Sequence, residues 1–204
     1  MLLKICGIGD GDQMRKLDQM FSPDYVGMIF YSKSPRFVQK ENFGPIPATK
    51  AKKMGVFVNE SNQYIMNAVN DFGLDGVQLH GNETIEQVME LKSEGLEVFK
   101  VFRVENTLPL TEARAFSQVA DFILFDTMGK EYGGTGKSFS WNVLEELEGE
   151  DSVNWLLSGG IDSENVKTIP KEIKGFSGID INSRVESQPG IKDFEKIKEL
   201  LNNI

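Results

Sequence analysis

The sequence predicts an α/β protein built as a parallel, eight-stranded β/α barrel, and three observations predict it. Short apolar runs suited to strands recur at 2–6, 25–30, 54–58, 76–79, 98–103, 122–125, 154–157 and 176–181. Amphipathic helical segments lie between most of them, which favours parallel pairing over hairpins. Nearly every run exits into a polar residue, as an active-site rim at the carboxyl ends of barrel strands requires. The same alternation suits an open, doubly wound sheet, but eight units of similar size favour closure. With 204 residues the chain is compact for this fold, which typically takes ~250. No composition shift marks a linker, so residues 1–204 read as one domain.

The first run ends at Cys6 in Lys4-Ile5-Cys6-Gly7-Ile8, with the glycine opening a turn. The second leads to Tyr31 and then Ser34-Pro35-Arg36. The link 32–53 also holds Pro45 and Pro47, so any helix there must be short. The third run ends at Asn59, and the fourth at the sole histidine, His80. Ile85, Val88, Met89 and Leu91-Lys92 form a helical face behind it. The fifth ends at Arg103 and the sixth at Asp126. Ser158-Gly159-Gly160 closes the seventh, and Asp162 is placed to cap a helix with Asn165 and Val166 in its first turns. The eighth reaches Asp180 and continues through Asn182, Ser183 and Arg184. Ile191, Phe194, Ile197, Leu200 and Leu201 form the last helical face. Strand alternation puts Lys4 with Cys6, Gln78 with His80 and Leu124 with Asp126 on faces expected to point into the barrel. Lys4 needs a partner there, which the sequence does not name.

Net charge is −9 and the isoelectric point near 4.8. That speaks against a non-specific nucleic-acid partner, while leaving room for a local anion site. One cysteine gives no internal disulfide and fits a reducing, cytoplasmic setting. No signal-peptide pattern and no apolar run of spanning length occur, so no membrane association is expected.

Free cysteines usually pack as small hydrophobes. At a strand tip beside a glycine turn, Cys6 can instead meet a ligand, and a nearby cation would raise its thiolate fraction. Cys6 and Asp126 are the leading base and acid. Gly133-Gly134-Thr135-Gly136-Lys137-Ser138 looks like a nucleotide-binding P-loop, yet Glu131 stands where its first glycine belongs. A glycine-rich loop over a ligand fits better, with Lys137 adding charge or facing solvent. Gly159-Gly160 bare backbone N–H groups ahead of the expected helix, which suits phosphate; a plain tight turn is the alternative. Arg36 can grip a carboxylate through two parallel hydrogen bonds or simply face solvent. His80 reads as a structural histidine or a catalytic one. No second histidine or cysteine accompanies it, so no zinc cluster is expected.

Together these motifs resemble the phosphoribosylanthranilate isomerases of tryptophan biosynthesis over essentially the whole chain. KICGI at 4–8, YSKSPR at 31–36 followed by Phe37, GVFVN at 55–59 and VQLHG at 77–81 occur in family order. So do the aspartate of FDT at 125–127, GGTGKSFSW at 133–141, SGGI at 158–161, Asp180, Ser183, Val185-Glu186 and PGIKD at 189–193. The resemblance implies an Amadori rearrangement of N-(5-phosphoribosyl)anthranilate to 1-(2-carboxyphenylamino)-1-deoxyribulose 5-phosphate. This aldose–ketose isomerisation has no net redox change and requires neither cofactor nor metal. The resemblance also implies Cys6 as general base, Asp126 as general acid and Arg36 as the clamp for the anthranilate carboxylate. Phosphate falls to Gly159, Gly160, Ser183 and Arg184, and His80 and Asp180 join the substrate-binding set. The expected partner is a small phosphorylated molecule; the family includes monomers and homodimers.

Two departures stand out: the segment before Met54 is shorter than usual for the family, so the second helix is expected to be reduced to a turn, and the loop after strand eight differs. The family loop after strand eight commonly reads D-x-S-S-G-V-E, whereas here Asn182 replaces a serine and Arg184 a glycine. A glycine used there for positive φ would make Arg184 costly; alternatively its own charge contributes. Among rival phosphosugar barrels, an epimerase would need metal-binding histidines. Indoleglycerol phosphate synthase would need strand lysines, for which Lys4 and Lys100 are the candidates. A non-catalytic phospho-ligand barrel would have no need of both Cys6 and Asp126.

Overall fold

The computed structural model describes residues 1–127, 141–148 and 152–204, so the glycine-rich run at 133–138 lies outside the described residues. Eight parallel strands close on themselves in sequence order: β1 (Leu2–Ile5), β2 (Tyr25–Ile29), β3 (Lys52–Phe57), β4 (Gly76–Leu79), β5 (Glu97–Val104), β6 (Phe122–Thr127), β7 (Trp155–Ser158) and β8 (Phe176–Ile181). β1 pairs with both β2 and β8. The fold is therefore the TIM barrel, not the open sheet.

Alternation along the strands divides the core. Val26, Met28, Val77, Leu79, Val98, Ile123, Phe125 and Ile179 pack outward with residues of the surrounding helices. Tyr25, Met54, Phe99, Val101, Leu124 and Leu156 form a separate apolar cluster, which plugs the barrel beneath the polar strand ends. Leu124 and Leu156 stand two residues before Asp126 and Ser158, so each shares a strand face with the polar residue above it.

Side-chain caps start four helices. Asp10 accepts from the Gln13 N–H at 2.8 Å at the head of α1 (Gly11–Phe21). α2 (Lys40–Phe43) is a single turn, as the prolines of this link require. Ser61 caps α3 (Asn62–Phe72) and Thr84 caps α4 (Ile85–Ser93). α5 (Leu110–Ser117) has no such cap, and Asp193 caps α6 (Phe194–Leu201). In α4, Val88 and Leu91 are buried, whereas Met89 stands out of the expected apolar face at 56 % exposure. Ile191 belongs not to the last helix but to a hairpin, β9 (Glu186–Gln188) with β10 (Ile191–Lys192).

The helix expected behind Asp162 is reduced to one 3₁₀ turn, Val166–Thr168. Asp162 does cap, accepting the Glu164 and Asn165 N–H groups at 3.0 Å each. Pro170 then holds Ile169 extended, at φ −65° and ψ 128°, because a residue before proline disfavours the helical region.

At the opposite end of the barrel, aspartates stand immediately before alternate strands. Asp24, before β2, accepts the Leu3 N–H of β1 at 2.8 Å. Asp75, before β4, accepts the Lys53 N–H of β3 at 2.7 Å. Asp121, before β6, accepts the Val98 N–H of β5 at 2.7 Å and also holds Lys92. Strand starts that would lack a partner are thus satisfied by the next strand's leading residue.

Candidate active site

Barrel register brings the polar strand ends together. Lys4 lies beside Asp180 across β1 and β8, Ser158 beside Asp180 across β7 and β8, and Asp126 beside Ser158 across β6 and β7. Above them is a cavity of about 190 Å³. Cys6, Gln78, His80, Asp126 and Asp180 line it, with the turn Ser158–Gly160, Ile161 and the segment 182–184. Eight of the nine site residues read from the sequence meet here. The ninth, Arg36, is not among the lining residues.

Cys6 extends the β1 ladder by one residue, its N–H reaching Ile181 O at 2.9 Å. Opposite its side chain, Gly27 of β2 leaves the space the sulfur occupies; a Cβ there would lie 2.7 Å from Sγ. Gly7 then turns the chain at φ +75°. Burial pushes the Cys6 thiol above its ordinary value; Lys4 and Lys192 oppose this, and Asp180 reinforces it.

The buried Lys4 finds its partner in Asp180, with Nζ 2.7 Å from Oδ2 and side-chain exposures of 0 % and 4 %. Burial alone would lower Lys4, but the Asp180 carboxylate and the Cys6 sulfur outweigh it and hold the ammonium above its ordinary value. Asp126 Oδ2 is 3.2 Å from His80 Nε2, so the histidine orients the acid candidate.

Arg36 makes a forked contact with Glu186: Nε donates to Oε1 at 2.9 Å and to Oε2 at 3.0 Å, and Nη2 to Oε2 at 2.6 Å. Glu186 also accepts from Lys192 Nζ at 2.7 Å, and Lys192 in turn donates to Asn182 Oδ1 at 2.8 Å. Burial would raise Glu186, but the two cations outweigh it and hold its carboxyl below the ordinary range. Lys192 is itself held low by burial. Glu186 and Lys192 sit in the Val185-Glu186 and PGIKD motifs, and sequence reasoning gave neither a role. Gln78, which shares an inward strand face with His80, lines the cavity too, although sequence reasoning assigned it no site role.

The turn expected to hold phosphate is built differently from expectation. No α-helix stands behind the turn; Gly159 and Gly160 instead take φ +96° and +66° in succession. Open space surrounds the position of a Cβ at Gly160. Such a turn presents successive N–H groups to an anion without a helix dipole. Arg184, in the 3₁₀ turn Ser183–Val185, is not among the residues with positive φ, so replacing glycine costs no left-handed strain. Lys100 faces away from the cavity and donates to Gly81 O at 2.7 Å and Glu83 at 2.9 Å. It is a strut, not a site lysine.

Among the described residues no group of three acidic, histidine or cysteine side chains could hold a metal ion. No described helix is long and apolar enough to cross a membrane.

Fold and site define a closed eight-stranded β/α barrel that sets a thiol and a carboxyl group around one small cavity beside a paired-glycine turn. The chain belongs to the N-(5'-phosphoribosyl)anthranilate isomerase family, whose model matches residues 3–203. A relative from Phocaeicola vulgatus with that name is 36 % identical over 206 residues, covering 100 % of this chain and 98 % of its own. The crystal structure of the phosphoribosyl anthranilate isomerase from Thermotoga maritima is 33 % identical with a TM-score of 0.84, covering 100 % and 98 %. A further isomerase structure is a complex with reduced 1-(o-carboxyphenylamino)-1-deoxyribulose 5-phosphate. It aligns at 29 % identity and TM-score 0.82, covering 100 % of this chain and 97 % of that one.

Proposed function

We propose that this chain, acting as one barrel domain over residues 1–204, isomerises N-(5'-phosphoribosyl)anthranilate in tryptophan biosynthesis by general acid–base catalysis. The observation that carries this reading is the lining of one cavity by Cys6 from β1 and Asp126 from β6, beside the Gly159-Gly160 turn.

Asp126 protonates the ribose ring oxygen, and the ring opens to a protonated imine. That cation acidifies the neighbouring C2–H. The Cys6 thiolate takes the C2 proton, leaving an enolamine that relaxes to the aminoketone. One proton enters and one leaves, so the conversion is redox-neutral and needs no oxidant. Each positioned proton-transfer group contributes ~10²–10⁴ in rate. The substrate's phosphate meets the N–H groups of Gly159 and Gly160 together with Ser183 and Arg184, while His80 and Asp180 hold its sugar. Arg36, aimed by Glu186, takes the anthranilate carboxylate at the other end. Fixing both anions orients the sugar between acid and base.

The test is direct: purified protein is added to freshly made phosphoribosylanthranilate and the loss of its fluorescence is followed. Decay well above the spontaneous rate is expected, and an unaccelerated decay would refute the reading.

A further inference from the structure

Asp180 is buried, lines the cavity, and uses only one of its two oxygens. Oδ2 accepts from Lys4 at 2.7 Å, while Oδ1 has no hydrogen-bond partner among the described residues. A buried acceptor left unmade is expensive, and because Asp180 lines the cavity, a ligand donor seated there is what would satisfy it. Lys4 and Cys6 stand two residues apart, on one face of the strand that Cys6 extends, so the ammonium held by Asp180 also acts on the sulfur.

We propose that Lys4 and Asp180 are positioning residues that couple ionisation of Cys6 to substrate binding. A sugar hydroxyl donating to Asp180 Oδ1 draws the carboxylate's charge toward the ligand and leaves more of the Lys4 charge for the sulfur. The thiol proton then departs to solvent, and Cys6 becomes a base when there is a C2 proton to remove. This rests on the reading of Cys6 as that base.

The surroundings single out this pair. The charged groups acting on Cys6 are Lys4 on its own strand, Asp180 on β8 and Lys192 on β10. Asp180 additionally feels Asp126 on β6 and His80 at the end of β4. Lys192 is tied to Glu186 and Asn182, outside the Lys4–Asp180 pair. Lys4 is therefore the cation whose balance between two anions a hydroxyl at Oδ1 can change.

The chain's single cysteine makes the test clean. Protein labelled with ¹³C at cysteine Cβ gives one resonance that reports thiol against thiolate. The pH titration is run with and without reduced 1-(o-carboxyphenylamino)-1-deoxyribulose 5-phosphate, whose anthranilate fluorescence confirms occupancy. In the wild type the ligand should lower the titration midpoint by about one pH unit, a tenfold gain in thiolate at fixed pH. The ligand's own anions push the other way, so a downward shift is diagnostic. Asp180→Asn should start with a lowered midpoint that the ligand no longer lowers. Lys4→Met should start with a raised midpoint and likewise show no downward shift. If a single unpaired charge unfolds the barrel, Lys4→Met/Asp180→Asn replaces both by neutral groups of similar size, and its midpoint should be raised and not lowered by ligand. An unchanged or raised wild-type midpoint on ligand binding, or an undiminished downward shift in Asp180→Asn, would overturn the proposal. Failure of the base assignment reads differently: Cys6→Ala would turn over normally, while the ligand-coupled titration of Cys6 in the wild type persisted.

Discussion

Cys6 and Asp126 are brought around one cavity although 120 positions separate them in the chain. If they move the two protons, Cys6→Ala and Asp126→Asn should each lower turnover by ~10²–10⁴, with far smaller changes in KM. Near-normal turnover in the fluorescence assay would remove that residue from the mechanism. Arg36 should behave oppositely: Arg36→Ala should raise KM with turnover largely kept, as expected for a group that binds one end of the substrate. Glu186→Ala should be a stability variant as well. It strips the partner from Lys192, whose side chain is fully buried, and breaking such a pair costs about 3–5 kcal/mol, readable as a fall in urea midpoint. The places of Cys6 and Asp126 at the cavity were legible because each sits at a strand exit. The groups that tune them were not. Lys4 meets Asp180 across 176 positions, and Arg36 meets Glu186 across 150; barrel closure creates both contacts, and no local pattern encodes it.

At the scale of elements, the two ends of the barrel divide stability from chemistry. The aspartates before β2, β4 and β6 bond to the starts of neighbouring strands, far from the cavity. Asp24→Ala should therefore cost about 1–2 kcal/mol through the orphaned Leu3 N–H in a urea titration, while kcat and KM stay at wild-type values. A change in KM would show that the ends are coupled. The Gly159-Gly160 turn should respond in both ways, since Gly160→Ala forces a side chain to φ +66°, at ~1–2 kcal/mol. It should also weaken substrate binding, seen as a higher KM. The apolar runs made the strands legible, because barrel strands buried on both faces must be apolar. The helix expected behind Asp162 stops after one turn because Pro170 holds Ile169 extended. The leading aspartates recur in PDYVG, LDGVQ and ADFIL at 23–27, 74–78 and 120–124. Their purpose appears only once the strand before each is paired beside it.

For the whole molecule, the buried charges make stability depend on pH at both extremes. Arg36 and Lys192 hold Glu186 below the ordinary range, and Lys100 with backbone N–H groups does the same for Glu83. The unfolded chain binds protons at these groups near the ordinary glutamate value of about 4.3, whereas the folded protein resists until lower pH. Their stabilisation is complete above that value and disappears as pH falls through the folded ones. Comparing Glu186→Gln with wild type by urea unfolding should show a gap at neutral pH that closes on acidification; a gap constant down to strong acid would contradict the assignment. Cys6 acts with the opposite sign. Its thiol is raised by burial, so the folded chain keeps a proton that the unfolded chain releases near pH 8.5. That contribution is whole below the unfolded value and is lost as pH rises through the folded one. Cys6→Ala should therefore flatten the alkaline side of the stability profile, leaving the acid side to the two glutamates. An alkaline profile identical in the two proteins would mean that burial does not hold the thiol proton.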